Sequence, residues 1–320
     1  MRLRTVALAL LVLAGLTAGV LSQQLPLRHR PEVLTQGPAS IDKVKDGLYV
    51  VRGPFVPCTT RGCTPNGADD KLIHEAGDVA VRVTPGGLIV IDDKYPEFVP
   101  EVLARIRDVS PLPIKYLLNS HHHGDHASGN KTIRELGIDI IGHRNIRENF
   151  LRIKQPGEPN ITFADQSAVY LGGVEVQLFW LGRGHTNGDT VIYFPDLKTV
   201  HTGDLIIDGM PVIDYPAGGS AVEFIATIDN LLKMDFDTMI PGHGHIMTKD
   251  DVRAYRVRFA EMNRRMKDAI RRGVRKEAFG TLDGARRELG LAELGWDNTV
   301  STTAWYGSIG RYYDEIAAAP

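Results

Sequence analysis

The stretch Ile114-Lys115-Tyr116-Leu117-Leu118-Asn119-Ser120-His121-His122-His123-Gly124-Asp125-His126 decides how the chain is read. Ile114 to Leu118 has the length and apolar content of a buried strand, and the cluster of imidazoles and a carboxylate follows it directly. Three further chemistry-bearing residues sit in matching contexts: His185 in Gly184-His185-Thr186-Asn187-Gly188-Asp189, Asp204 in Thr202-Gly203-Asp204, and His243 in Pro241-Gly242-His243-Gly244. Each follows an apolar, strand-like run and lies beside glycine. Strand ends therefore deliver all of them to one rim.

The runs around them organise the chain. Gly47 to Arg52, Asp78 to Val83, Leu88 to Ile91, Ile138 to Ile141, Ala168 to Leu171, Val174 to Trp180, Thr190 to Phe194, Thr199 to His201 and Thr238 to Ile240 read as strands. Pro96 to Asp108 and Ala221 to Leu232 read as helices. Interleaved strands and helices define an α/β class with helices covering the sheets. After Thr248 the pattern turns helical: Val252, Tyr255, Phe259, Met262, Met266 and Ala269 recur at three- and four-residue spacing, one buried face. The arginines and lysine between them, Arg253 to Arg272, read as a solvated basic face.

Arg2 and Arg4 precede an uninterrupted apolar run from Val6 to Leu21, closed by Ser22, Gln23, Gln24 and Pro26. Basic, apolar, polar is the order of an export leader; at about 20 residues for a spanning helix, an uncleaved anchor is the other reading. The expected division is a signal peptide over 1–22, a tether over 23–40, a catalytic domain over 41–248 and a helical extension over 249–320. A periplasmic or secreted protein without stable membrane insertion after leader removal follows. Cys58 and Cys63, in a Pro- and Gly-rich loop, then form a local disulfide, since one pair is half of a closed four-ligand zinc site. With 320 residues and a formal net charge of -2, no whole-molecule positive field holds nucleic acid; a small molecule is the expected partner.

Imidazole and carboxylate suit zinc, with iron or manganese as the other ions such a donor set accepts. Seven ligands are too many for one tetrahedral ion, and two metals sharing Asp204 accommodate them. The ordered set HxHxDH, GHTxGD, TGD and PGHG resembles the metallo-β-lactamase superfamily over roughly Val44 to Thr248. The resemblance implies a four-layered αββα sandwich carrying two zinc ions. His121, His123 and His185 would hold the first metal, Asp125, His126 and His243 the second, with Asp204 between them. It also matches Asp92, at a strand end, to a carboxylate that supports the histidines, and Asp189 reads as a similar support or as a turn residue.

The activity so implied is hydrolysis of a carbonyl compound, a β-lactam, lactone, ester or thioester, by a hydroxide held between the metals, with Asp125 orienting it and accepting its proton. Two departures weigh on the substrate. Asp204 stands where the cysteine-containing zinc β-lactamases have Cys. Ile207 stands where they commonly place a lysine and where quorum-signal lactonases commonly place a tyrosine. The same scaffold loaded with iron serves persulfide dioxygenases, so an oxygenase is the alternative. His122, His143, His201 and His245 carry no motif role and read as structural or surface residues.

Overall fold

A computed structural model describes residues 37–57, 73–280, 282–296 and 308–319. The leader, most of the tether, and Cys58 and Cys63 lie outside the described residues.

The first sheet is built from β1 (Ser40–Lys45), β2 (Leu48–Arg52), β5 (Val79–Thr84), β6 (Gly87–Ile91), β7 (Ile114–Leu118), β8 (Asp139–His143) and β9 (Ile161–Phe163), in the order β1-β2-β5-β6-β7-β8-β9. The second has the order β10 (Gln166–Leu171), β11 (Val174–Trp180), β12 (Thr190–Phe194), β13 (Thr199–His201), β14 (Thr238–Ile240) and β15 (Met247–Thr248). A small antiparallel pair, β3 (Phe55–Pro57) with β4 (Ile73–Glu75), stands apart.

Strand alternation sorts the apolar residues into three cores, because successive side chains leave a strand on opposite faces. Val81, Val90, Leu117 and Ile140 face outward against Val99, Val102 and Ile106 of α1 (Val99–Val109). Ile89, Ile91, Leu118 and Ile141 face inward and meet Val176, Leu178, Ile192 and Phe194 of the other sheet. Val191, Val200 and Met239 leave the second sheet outward, under the two helices that cover it. The result is the four-layer helix, sheet, sheet, helix sandwich that the motifs implied.

Of the shorter helices, α2 (Gly124–Ala127), α3 (Asn130–Glu135) and α4 (Arg144–Ile153) follow β7 and β8. The outer layer on the second sheet is α5 (Ala221–Lys233) and α6 (Lys249–Arg271). All six residues of the three-and-four stripe are buried on α6, the Val, Phe and Met side chains each worth roughly 1.5–3 kcal/mol of transfer free energy. Thr248 starts α6 through a capping box, its hydroxyl and backbone exchanging hydrogen bonds with Asp251. The remaining helices, α7 (Leu282–Leu289) and α8 (Ile309–Ala318), pack into the same outer core through Leu289, Ile309, Tyr312 and Ile316.

Some expectations shift. The first helix starts at Val99 rather than Pro96, because Tyr95 to Phe98 forms a separate turn and Pro100 then occupies the first helical turn, where its missing N–H costs nothing. β1, α4 and β9 were not expected from the pattern: β1 is mostly exposed, and α4 buries only Ile146, Asn149 and Phe150.

Register explains why the site forms where it does. β6, β7 and β8 run parallel, with Ile91 opposite Leu118 and Leu118 opposite Ile141. Asp92 and the segment after Leu118 therefore leave the sheet at one edge, the carboxyl end of parallel strands, where α/β proteins gather functional residues. In the second sheet β13 and β14 are parallel with His201 opposite Ile240, and β12 runs antiparallel to β13. That brings Thr202 to Asp204, Pro241 to His243 and the loop before Thr190 to the same edge.

Candidate metal centre

Two groups of ligand atoms meet there. His123 Nδ1 lies 3.2 Å from His121 Nε2 and 2.9 Å from His185 Nε2. His126 Nε2 and His243 Nε2 are 3.2 Å apart, with Asp125 Oδ2 at 3.2 Å from His243 Nε2 and 3.7 Å from His126 Nε2. Asp204 stands between the groups and gives one oxygen to each. Its Oδ2 is 3.7 Å from His185 Nε2 and 3.9 Å from His121 Nε2, while Oδ1 is 3.0 Å from His126 Nε2 and 3.4 Å from His243 Nε2.

The outward ring nitrogens of four of these histidines are tied down. His126 Nδ1 donates to Asp92 Oδ2 at 2.9 Å, and His185 Nδ1 donates to the Val212 carbonyl at 2.8 Å. His121 Nδ1 meets Ser120 Oγ at 3.0 Å, and that hydroxyl donates to Asp92 Oδ2 at 2.6 Å. His123 Nε2 donates to Asp214 Oδ2 at 2.8 Å. With the outward nitrogens bound to acceptors, the inward ones converge as the atoms that would coordinate a shared cation once any proton on them is displaced. The residues fit such ions: a tetrahedral site with bonds of about 2.0–2.1 Å spaces its donors by about 3.3–3.4 Å. The buried Asp204 Oδ1 accepts no well-aligned hydrogen bond within the protein.

Close packing at two glycines holds the ligands in place. A methyl group on Gly242 would overlap Asp204 Oδ1, and one on Gly77 would overlap the His126 ring. The segment through Gly77 also binds both loops of the second group, with Gly77 N donating to the Asp125 carbonyl at 3.1 Å and Asp78 N to the Gly242 carbonyl at 2.7 Å.

The electrostatics divide the histidines, and His123, raised against its burial by the Asp214 carboxylate, sides with the second group. Burial and the neighbouring His123 hold His185 down at about 4, and burial with His126 holds His121 well below the ordinary range. Burial also opposes charge on His126 and His243, but the Asp204 and Asp125 carboxylates outweigh it, raising His126 to about 10 and His243 well above its usual value. Asp125 and Asp204 resist the upward push of burial because those histidines hold them well below the carboxylate range. In the metal-free protein the second group thus keeps its protons at neutral pH, and an incoming ion must displace them. Apparent metal affinity of that group should rise with pH between 6 and 9, by up to about tenfold per unit for each proton displaced. Titration against a chromophoric chelator at several pH values measures it, and a flat or falling profile would remove His126 and His243 as ligands.

The supporting residues divide. Asp92, fully buried, binds His126 and, through Ser120, His121. Asp189 reaches no ring: its carboxylate accepts from Thr186 N at 3.0 Å and Thr186 Oγ1 at 2.5 Å, fixing the turn that carries His185. Burial pushes it up to about 7. Asp214, absent from the expected set, is the carboxylate behind His123. Its only local signal is Asp before Tyr215-Pro216, a cap for the short turn Tyr215–Ala217, and it caps that turn as well. His143 caps α4 and stacks on Trp180; His201 bonds the Asp78 carbonyl. His245 pairs with Asp208 at 2.8 Å, and His122 is buried beside Asp214.

Comparisons with known proteins bear on the family and the fold. Residues 79–243 match the sequence profile described as the metallo-beta-lactamase superfamily. A hydroxyacylglutathione hydrolase from Pelagibacter ubique (strain HTCC1062) is 33% identical over 96 residues, covering 30% of this chain and 37% of that protein. A metallo-beta-lactamase type 2 from Bacillus cereus is 24% identical over 169 residues, 51% of this chain and 65% of its own length. The chain thus spans less than two thirds of either relative. Among solved structures, TMB-1 superposes with a TM-score of 0.58 at 15% identity over 69% of this chain and 96% of its own. A metallo-beta-lactamase from Pontibacter korlensis gives 0.56 at 18% identity over 67% and 95%. At these identities the structural likeness speaks for the fold alone.

Proposed function

The chain belongs to the metallo-beta-lactamase superfamily, and we propose that within it this protein is an exported, dinuclear zinc hydrolase of a carbonyl substrate: a β-lactam, lactone, ester or thioester. The observation that carries the reading is the division of Asp204, one oxygen toward each group of donors. The hydroxyacylglutathione hydrolase and metallo-beta-lactamase relatives support a metal-dependent hydrolase. Export rests on the basic-then-apolar leader, Arg2 to Leu21; no helix among the described residues is long and apolar enough to cross a membrane.

In this reading His121, His123 and His185 hold one zinc ion, Asp125, His126 and His243 the other, and Asp204 both. When bound, such ions supply a water of near-neutral acidity and an electrophile for the carbonyl oxygen. The protein defines the approach. His121 and His185 side chains are 1% exposed and His126 is sealed, whereas His123, His243 and Asp125 are 28%, 25% and 17% exposed. Substrate therefore arrives over the His123, Asp125 and His243 side. Asp125 stands on that side, placed to orient water and take its proton. Ile207 is buried and offers no charge or hydroxyl to a substrate, so recognition differs from enzymes that use a lysine or tyrosine there.

The decisive experiment is metal analysis of the purified mature protein together with a panel of β-lactam, lactone, thioester, phosphodiester and sulfate ester substrates. Two zinc ions per chain, cleavage of a carbonyl substrate and an amino terminus between Gly19 and Leu27 are expected. Bound iron with oxygen consumption, or turnover confined to phosphodiesters or sulfate esters, would replace this reading. An intact leader would remove the cleaved export.

A further inference from the structure

The C-terminal helix α8 reaches the loop behind the first group of histidines through one side chain. Glu315 accepts hydrogen bonds from Tyr215 Oη at 2.9 Å, Ser220 Oγ at 2.5 Å and Ala221 N at 2.8 Å. All three donors belong to the segment between Asp214 and the first residue of α5. Asp214 opens that segment with its carboxylate on His123 Nε2, and its own N–H donates to the His185 carbonyl at 2.8 Å. Ser220 closes it as the N-cap of α5, with its N–H on the Gly184 carbonyl at 2.9 Å. Two histidines of the first group, one by its ring and one by its backbone, thus lean on a loop whose far side is gripped by Glu315.

We propose that Glu315 is a positioning residue for the first metal: it clamps residues 214–221, so that Asp214 keeps His123 turned with Nδ1 toward His121 and His185. The proposal rests on reading those three histidines as metal ligands. The simpler assignment, a residue that merely fastens α8, is answered by the other contacts of that helix. Ile309, Tyr312 and Ile316 are buried in the outer core, Tyr312 Oη donates to Asn263 Oδ1 at 2.6 Å, and Asp314 pairs with Lys276 at 2.8 Å. Against that anchorage, Glu315 spends its acceptors wholly on the loop. A carboxylate has enough lone pairs for three donors, and its charge is favoured at the amino end of α5.

The test uses the full chain with Glu315→Ala, Glu315→Gln, Asp314→Asn and Asp214→Asn, cobalt(II) as the metal probe, and amide hydrogen exchange of the metal-free protein. Glu315→Ala should speed exchange at 214–221 and weaken one of the two cobalt ions by about 10- to 100-fold, the usual effect of losing an outer support. Glu315→Gln should restore part of the affinity, since its oxygen still accepts from Ala221 N–H and Tyr215 Oη while the Ser220 hydroxyl turns to accept from its amide. Asp314→Asn, which removes the exposed ion pair of the same helix without touching the loop, should leave both ions bound as in wild type. Adding Asp214→Asn to Glu315→Ala should cost less than the sum of the two, because both act on His123.

Additive losses, unchanged exchange at 214–221, or equal weakening of both ions by Glu315→Ala and Asp314→Asn would overturn the clamp. Wild-type protein that takes up no cobalt would sink the metal reading and the positioning role with it. Normal cobalt uptake with unchanged exchange in Glu315→Ala would sink the clamp alone.

Discussion

Asp204→Ala is expected to strip metal from the site and to lower turnover by about three orders of magnitude. Two divalent ions about 4 Å apart repel each other by about four times the roughly 4 kcal/mol of a unit-charge pair in an environment of intermediate dielectric. Asp125 and Asp204 are the carboxylates among the proposed ligands, and Asp204 alone faces both groups, at 3.0–3.9 Å from four imidazole nitrogens. Alanine removes that shared charge and leaves each group with its other three donors. At least one ion should be lost, and with it several kcal/mol of activation of water and carbonyl, each 1.4 kcal/mol being tenfold in rate. Asp204→Asn, which keeps one oxygen without the charge, should fall between. Metal stoichiometry and turnover on the cleaved panel substrate measure the effect, and circular dichroism establishes that the variant is folded. A folded Asp204→Ala protein with two ions and full turnover would take Asp204 out of the site.

What the sequence made legible, and what it hid, follows from how local each signal is. Ile114–Leu118, Val174–Trp180, Thr190–Phe194, Thr199–His201 and Thr238–Ile240 have the bounds read from the chain; Ile114–Leu118, Thr190–Phe194 and Thr238–Ile240 stop at an asparagine or a proline, which states their length as well as their burial. The α6 stripe is equally plain, since period 3.6 over more than four turns has no strand equivalent. β1, Ser-Ile-Asp-Lys-Val-Lys, buries too little to show a pattern, and α4 carries Leu151 and Ile153 on its exposed side. In the site, the residues the motifs name are the residues that meet, and His123, Asp125, His185, Asp204 and His243 stand beside a glycine. Asp214 was hidden because 91 positions separate it from His123 and only packing joins them. Glu315 was hidden for the same reason, at the far end of a helix that reads as simple amphipathic cover. Asp189 illustrates the converse: its bonds are to Thr186, three positions away, so its turn role was written in the local sequence.

Asp125 is asked to do two things, to bind the second ion and to accept the proton of the attacking water, and Asp125→Asn separates them. Asparagine keeps the size and one oxygen, so the donor at 3.2 Å from His243 Nε2 is retained in weakened form while basicity is lost. In the metal-free protein the native carboxylate is held well below the ordinary range by His126 and His243 despite its burial, so it is already ionised, as a metal ligand must be. Loss of a general base costs about 100- to 10,000-fold in rate, and a weakened second ion would add to that. Single-turnover rates at saturating zinc isolate the first part; metal stoichiometry at limiting zinc reads the second. Asp93→Asn is the matched control. Asp93 is buried, accepts from Gly129 N at 3.1 Å, and is pushed well above the carboxylate range by burial and by the charge of Asp92. Burial and the charge of Asp92 favour its neutral form, and asparagine keeps its size and the acceptor that Gly129 requires. Rate and metal content should change by less than about threefold there, within the scatter of substitutions that remove no charge and no hydrogen bond. Normal turnover with two ions in Asp125→Asn, or equal damage in Asp93→Asn, would mean that the proton acceptor lies elsewhere on the His123, Asp125 and His243 side.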